Sequence, residues 1–349
     1  MINSNVSYFG EEVFVGIDVH RASFAVTAIC KGVLVKRWRM SADPGELALK
    51  LCSYFDGAKL LTAYEAGFSG FKLHRVLTSL GIENYVVNAG SIEISARDKV
   101  KTDRRDSHKI AIQLAAGRLK SIRIPTESEE LSRELPRLRK QHVRTRGRII
   151  NQTRMKLHYY GLLPANYKGV LRKDFVLNIA QEQEWELKHS LESFCSLWSH
   201  TDSEILALDK KLREQAFKDS FEETYRSIPG VGKISSRILS TELGDMSQFA
   251  NERALFSYTG LTPMEFSSGD SRRLGSISKQ GNSHIRGVLI ECAWVSLRKD
   301  KELRKVFEGI ASRAGKKRAI VAIARKLVGR ARALFRQGVL YEMKADRAL

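Results

Sequence analysis

Apolar residues fall into two regimes along this chain. Up to about residue 90 they form short runs broken by turn residues, and beyond Pro125 they recur at helical spacing among basic residues. Val13-Phe-Val-Gly-Ile-Asp-Val19 is an apolar run with one acid inside it and reads as a central strand. Strand periodicity puts Asp18 on the face shared by Phe14 and Gly16. Ser23–Cys30 and Gly32–Arg39 read as two further strands joined by a tight Lys31-Gly32 turn. Pro44–Phe55 is helical, with Asp43 as N-cap and Pro44 at the first position. Lys59–Glu65 is a fourth strand that ends in its acid. Gly70–Leu80 is a helix closed by Gly81, Asn84–Asn88 is a fifth strand, and Asp106–Ala116 is a helix ended by Gly117. Glu127–Tyr160 is one long helical run with a kink expected at Pro136. Gly161-Leu-Leu-Pro164 breaks it. Leu191–Phe217 is a second run, with Ile205, Leu208 and Leu212 at helical spacing. Two long helices and a loop predict an antiparallel coiled-coil arm, a frequent dimer contact, with Trp185 and Trp198 packed in it.

The predicted order is three strands, helix, strand, helix, strand, helix, and then helices only. The expected fold class is α/β plus all-α, with a mixed sheet whose first three strands are antiparallel neighbours. The expected domains are 1–125 for the sheet, 126–220 for a basic helical connector and 221–349 for a mainly helical C-terminal part. The N-terminal order resembles that of the RNase H-like fold, in which acids from the first strand, the fourth strand and a late helix converge on two divalent metals. Asp18, Glu65, Asp103 and Asp106 stand at those places. An acid inside an apolar strand is costly unless it is paired or binds a cation. The three-residue spacing of Asp103 and Asp106 puts both on one helix face. Lys99, Lys101, Arg104, Arg105 and Lys109 surround them. Such a set suits Mg2+ (or Mn2+), which prefers oxygen ligands and can assist chemistry on phosphate. Taken singly, each acid also reads as a turn acid, a strand-end charge or a charge-paired helix start. Cys30, Cys52, Cys195 and Cys292 are scattered without a CxxC pair, which fits reduced thiols rather than a disulfide or zinc framework.

Charge narrows the partner. The 349 residues hold 59 Lys and Arg against 39 Asp and Glu, a formal net charge of +20. That excess favours a polyanion, most often nucleic acid. No apolar run is long enough to span a bilayer, and the polar N-terminus lacks a signal-peptide core, so a cytoplasmic, nucleoid-associated protein with no membrane partner is expected. Arg137, Lys140, Arg144 and Arg148 give the first long helix a basic face able to track a phosphate backbone, although a solvated coiled-coil surface reads the same way. The cationic helix Lys316–Phe335 is expected to pack on the C-terminal part.

Two later segments are more specific. Ile228-Pro-Gly-Val-Gly-Lys-Ile-Ser-Ser-Arg237 opens an apolar helix with a Gly-x-Gly turn, like the helix-hairpin-helix element of many DNA-binding proteins. Lys233 and Arg237 fit phosphate contacts there. Tyr258–Arg286 is rich in Gly, Ser and basic residues. Serine needs help to act as a nucleophile, and Arg272, Arg273, Lys279 and Arg286 suit the charge that develops on phosphate. Composition does not choose among Ser267, Ser268, Ser271, Ser276 and Ser278, and a loop that only binds DNA has the same composition. No Walker-type GxxxxGK[ST] is present, so no nucleotide cofactor is expected.

Together, Gly16-Ile-Asp18, Glu65-Ala66, Lys101-Thr-Asp-Arg-Arg-Asp106, Ile228-Pro-Gly-Val-Gly232, Gly260-Leu-Thr-Pro263, Ser268-Gly269 and Ser278-Lys-x-Gly-Asn282 with Arg286 resemble the DEDD transposases of bacterial insertion sequences (the insertion sequence one-ten family and its sister group). The DNA invertase Piv is a relative of these. The resemblance implies a RuvC-like N-terminal domain, a helical connector and a C-terminal transposase domain. It also implies that Asp18, Glu65, Asp103 and Asp106 are the metal-binding tetrad and that Ser268 is the nucleophile forming a phosphoserine link to DNA. Its further implications are donor and target DNA as substrates, a noncoding bridge RNA that pairs with both, and a homo-oligomer (dimer or tetramer) in which one subunit's metal domain completes another's serine site. The sequence departs from the pattern at Ala66-Gly67-Phe68, at His20-Arg21, and at Ser267, which doubles the serine. Two rival functions are a RuvC-like junction nuclease, in which water attacks, and a non-catalytic nucleic-acid-binding protein.

Overall fold

The computed structural model describes residues 7–93, 103–216, 219–266 and 273–342, with the side chains of Asp103, Arg104 and Leu274 outside that description. The chain folds as two compact units, Met1–Ile124 and Pro125–Leu349.

The first unit is built on a five-stranded sheet in the order β3-β2-β1-β4-β5. Its strands are β1 (Glu12–Val19), β2 (Ser23–Cys30), β3 (Val33–Ser41), β4 (Lys59–Glu65) and β5 (Glu83–Val87). β1, β2 and β3 are antiparallel neighbours, whereas β1–β4 and β4–β5 are parallel. Lys31 (φ 50°) and Gly32 (φ 76°) both take the left-handed conformation that a two-residue hairpin demands. Helices α1 (Pro44–Tyr54), α2 (Lys72–Ser79) and α3 (Asp103–Ala115) follow β3, β4 and β5. The Asp43 side chain caps α1 by accepting from the Glu46 amide at 2.9 Å.

β1 is central, and the two faces of its pleat enter different cores. Val13, Val15 and Ile17 pack with Leu47, Leu51, Leu73 and Leu77. Phe14 packs with Leu61, Ala63, Ile110 and Leu114. A strand covered on both faces reads as a near-continuous apolar run, which is the pattern of its sequence. α3 therefore lies on the face that also carries Gly16 and Asp18.

The second unit is helical. α4 (Glu127–Tyr159) and α6 (Trp185–Ala216) form an antiparallel pair, with α5 (Lys173–Gln181) packed beside α6. Thr126 and Glu129 form a reciprocal capping box at the start of α4, and the helix continues through Pro136. The arm's register is fixed by ion pairs: Arg139 with Asp209, and Arg146 with Asp202 at 3.3 Å. Ile149, Leu157, Leu191, Cys195 and Trp198 fill its interior. Trp185 departs from expectation. It is 71% exposed and stacks on His189 at the surface, because the first turn of α6 faces solvent.

The rest of the unit comprises α7 (Phe221–Ser227), α8 (Lys233–Leu243), α9 (Glu252–Thr259), a hairpin of β6 (Pro263–Glu265) and β7 (Leu274–Ile277), and three helices α10 (Ser283–Lys299), α11 (Lys301–Ala314) and α12 (Lys316–Gln337). Tyr225, Leu239, Leu289, Ile323 and Leu327 lie in their shared core. Among the described residues no helix is long and apolar enough to cross a membrane.

Candidate active site

The carboxylates gather at one end of the sheet. β1 and β4 run parallel with Phe14 opposite Leu61 and Gly16 opposite Ala63. Continuing that register brings Glu65 beside Asp18 on the same face, with strand axes about 4.8 Å apart. α3 is pressed onto this face. A Cβ built on Gly16 would lie 2.0 Å from the Ser107 carbonyl oxygen and 2.5 Å from the Ala111 nitrogen, so only glycine admits the helix so close. Ser107 Oγ and Thr27 Oγ1, both buried, share a hydrogen bond at 2.9 Å that ties α3 to β2 as well. Phe14, toward the start of β1, packs with Ile110 and Leu114, whereas Gly16 meets Ser107. The helix thus runs against the strand, and its N-terminal turn points to the end where Asp18 and Glu65 stand.

That turn holds the other two acids. α3 begins at Asp103, three residues earlier than the apolar pattern suggests, so Asp103 and Asp106 both belong to it. Asp106 lies 3.8 Å from Lys109, each side chain about a quarter exposed. Asp18 is 21% exposed, and its Oδ2 lies 3.1 Å from Nε2 of His20. Glu65 is exposed. The described donors are carboxylate oxygens with one imidazole beside them, a set suited to a hard divalent cation. Among the described residues no group of three or more His, Cys, Asp or Glu side chains is clustered tightly enough to hold a metal. Asp103's side chain is not among them. His108, two residues after Asp106, is partly buried. Burial, and then the nearby Arg37 charge, hold its imidazole below the ordinary value, so it favours the neutral form.

In the second unit, Ser267, Ser268, Ser271 and Arg272 lie between β6 and β7 in sequence and outside the described residues. The frame around them is described. Pro263 pairs with Ile277 and Glu265 with Leu274. Below the hairpin its two roots are zipped: the Ser278 amide donates to the Thr262 carbonyl and the Asn282 amide to the Tyr258 carbonyl, both at 2.8 Å. Arg286 Nη1 donates to the Thr259 carbonyl at 3.2 Å. Gly281 (φ 118°) is packed so tightly that a Cβ would sit 2.3 Å from the Tyr258 carbonyl oxygen.

One residue at this root had no signal in the sequence. Glu242, 1% exposed, accepts two hydrogen bonds from the Arg137 guanidinium (2.8 and 3.0 Å) and one from Asn282 Nδ2 (2.7 Å). Arg133 lies 3.7 Å away. Burial works against its charge, but the Arg137 hydrogen bonds and charge, with Asn282 and Arg133, outweigh it and hold the carboxyl below its ordinary value. Nothing in a helical Ser-Thr-Glu-Leu stretch marks such a role. The partners are more than a hundred residues upstream and forty residues downstream, at 105 and 40 positions' separation.

The structure divides the basic residues expected to touch nucleic acid. Arg144 and Arg148 are exposed along α4, Lys233 at the start of α8, and Arg105, Arg273 and Lys279 are also exposed. Arg137 is turned inward onto Glu242. Arg237, 8% exposed, pairs with Asp219 (2.9 Å) and Glu222 (3.2 Å), so its charge is compensated inside the unit rather than offered to a phosphate. Lys140 donates to the Ser283 carbonyl at 3.3 Å, and burial with the nearby Arg144 lowers its pKa. Gly230 serves packing: its Cβ would meet the Cys292 carbonyl oxygen at 2.6 Å, whereas Gly232 faces open space. Lys101, and the side chain of Arg104, fall outside the described residues.

Comparison with known proteins adds independent information. Residues 15–161 match a DEDD-class family model of IS110 described as "Transposase". Residues 222–308 match a second, described as "Transposase IS116/IS110/IS902 family". The y4qE protein of Sinorhizobium fredii is 31% identical over 305 residues, covering 81% of this chain and 71% of its own. The transposase for insertion sequence element IS1111A of Coxiella burnetii is 28% identical over 260 residues, covering 72% of this chain and 71% of its own. The transposase for insertion sequence element IS1533 of Leptospira borgpetersenii is 26% identical over 349 residues, covering 90% and 93%.

Proposed function

Because this chain belongs to the IS116/IS110/IS902 family of insertion-sequence transposases, we propose that it cuts and rejoins the DNA of its own element at a carboxylate site on an RNase H-like sheet, through a serine nucleophile. The observation that carries this reading is the placement of Asp18 and Glu65 on adjacent parallel strands, at the end of the sheet to which the N-terminal turn of α3 points. The strand order β3-β2-β1-β4-β5, with only β2 antiparallel to its neighbours, supports the RNase H-like assignment. A protein that only binds nucleic acid gains nothing from acids aimed at phosphate.

Asp18, Glu65, Asp103 and Asp106 would hold Mg2+ or Mn2+. When bound, such cations activate an attacking oxygen and stabilise the leaving oxygen of a phosphodiester. The chain's own groups do the rest. Gly16 and Ser107 fix the helix that carries two of the acids. His20 orients Asp18. Ser268 supplies the attacking oxygen: its Oγ displaces one bridging oxygen from phosphorus, and the hydroxyl proton passes, through water, to the displaced oxygen, which becomes the strand end's free hydroxyl. The phosphoserine ester conserves the broken bond, so a strand hydroxyl can attack it, rejoin DNA and release serine without a nucleotide cofactor. Arg273, Lys279 and the other exposed cations counter the charge on phosphate. A net charge of +20 suits a protein that holds both donor and target DNA together with a pairing bridge RNA. The homo-oligomer in which one subunit's acids complete another's serine site is part of this proposal and rests on the family membership alone.

The test is strand cleavage of element-end DNA, with any RNA that co-purifies, over a titration of Mg2+. Cleavage should require the cation and be lost in Asp18→Asn and Glu65→Gln while DNA binding persists. Cation-independent cleavage, or cleavage undiminished in both variants, overturns the assignment.

A further inference from the structure

We propose that Glu242 is a positioning residue for DNA cleavage: held by Arg137, it fixes Asn282 and through it the root of the β6–β7 hairpin. This rests on the serine reading above and extends it to a buried residue that touches no DNA.

Asn282 is the joint. Its Oδ1 accepts from the His284 and Ile285 amides at 2.9 and 3.3 Å, which caps α10. Its Nδ2 donates to Glu242 Oε2 at 2.7 Å, and its own amide donates to the Tyr258 carbonyl at 2.8 Å. One residue thus links the start of α10, the end of α9 and the last turn of α8. An asparagine that only capped a helix would have no need of its amide nitrogen. Here that nitrogen is spent on a carboxylate 1% exposed. Two arginines from α4 compensate that carboxylate, Arg137 by two hydrogen bonds and Arg133 at 3.7 Å. A buried charge with this many partners is rigid, since each alternative arrangement leaves one of them unpaired.

The linkage has a direction. Gly281, packed on the Tyr258 carbonyl, and Gly260, whose Cβ would lie 2.6 Å from the Gln280 carbonyl oxygen, leave the two roots no room to slide. Asn282 is gripped from both sides, its Oδ1 by the start of α10 and its Nδ2 by Glu242, so loss of the Glu242 bond loosens the residue whose backbone amide closes the root. Catalytic geometry is unforgiving: a misplacement of about 1 Å can cost on the order of a hundredfold in rate. A loosened hairpin root should therefore slow cleavage without weakening DNA binding.

The experiment uses the full chain with element-end DNA and co-purifying RNA. It compares wild type, Glu242→Gln, Asn282→Asp, the double variant E242Q/N282D and Ser268→Ala. Aspartate at 282 keeps the cap but sets two carboxylates face to face. The double variant restores one carboxylate and one amide with the bond reversed, but it leaves Arg137 with one acceptor oxygen at position 242 instead of two. Single-turnover cleavage, DNA affinity and hydrogen exchange of the 258–262 and 278–282 amides are measured. The expected result is cleavage slowed tenfold or more in Asn282→Asp, with unchanged DNA affinity, faster exchange at the hairpin roots, and partial recovery of both in the double variant. Wild-type cleavage in Asn282→Asp and Glu242→Gln, with Ser268→Ala inactive, overturns the positioning role and leaves the serine reading standing. Faster root exchange with cleavage that survives Ser268→Ala overturns the serine reading, and the positioning role of Glu242 with it.

Discussion

Gly16→Ala is the smallest change that should disable the carboxylate site. The added methyl would lie 2.0 Å from the Ser107 carbonyl oxygen and 2.5 Å from the Ala111 nitrogen. Both are backbone atoms of a helix, so no side chain can swing aside. To restore ordinary contact, α3 must retreat from β1 by roughly 1.5 Å. It cannot do so freely, because Ser107 is bonded to Thr27 and Ile110 and Leu114 are buried against Phe14 and Ala63. Overpacking of this kind costs about 1–3 kcal/mol. The functional cost should be larger, since the retreat carries Asp103 and Asp106 away from Asp18 and Glu65, and a displacement above 1 Å is worth on the order of a hundredfold in rate. Urea denaturation followed by hydrogen exchange in β1 and α3 measures the first effect. Single-turnover cleavage, at a temperature where the variant remains folded, measures the second. A folded Gly16→Ala protein with wild-type stability and cleavage would refute the reasoning, because it would mean that α3 does not set the site's geometry.

Other outcomes follow from the same structure. Arg137→Ala leaves the buried Glu242 carboxylate only Asn282 and the more distant Arg133 and should cost about 3 kcal/mol, the low end of the usual penalty for removing one partner of a buried pair, read as a lower denaturation midpoint. Glu242 is held below its ordinary value, so its contribution to stability is present above that value and is lost as pH falls through the folded-state pKa. Arg137→Ala should flatten this acid limb of a stability-against-pH curve. His108 and His284 are both pushed down, first by burial and then by Arg37 and Lys140 respectively. The unfolded chain therefore binds protons there first, and stability should begin to fall as pH drops below about 6.5, the ordinary imidazole value. His108→Gln should remove part of that slope. Exchanging charges in the arm (Arg139→Asp with Asp209→Arg) should restore thermal stability lost in either single variant if the antiparallel register is the one described.

The sequence made the first unit legible because its strands are short apolar runs ended by turn residues, and those need no partner to be recognised. β2 and β4 fall where the pattern puts them, and the hairpin turn at Lys31-Gly32 follows from local chemistry alone. The start of α3 was less visible, since Asp103-Arg-Arg-Asp106 carries no apolar residue to set a phase. β6 and β7 escaped because a Gly- and Ser-rich stretch with no alternation reads as loop, and the strands are set by pairing with each other. α5 is short and lies between two stronger helices. The basic residues show the firmest limit. Arg137 and Arg148 look alike along one helix, yet one is turned onto a buried carboxylate and the other faces solvent. That difference depends on Glu242, whose position beside α4 is a property of the tertiary fold.

The most direct measurement of the central claim is a denaturation-resistant protein–DNA adduct. The protein, element-end DNA, Mg2+ and any co-purifying RNA are mixed, quenched in denaturant and digested, and the modified peptide is mapped by mass spectrometry. The account predicts a phosphodiester-linked nucleotide on Ser268, absent in Ser268→Ala and in Asp18→Asn. Cleaved DNA with no adduct, undiminished in Ser268→Ala and abolished in Asp18→Asn, would contradict it and assign the attack to water at the carboxylate site.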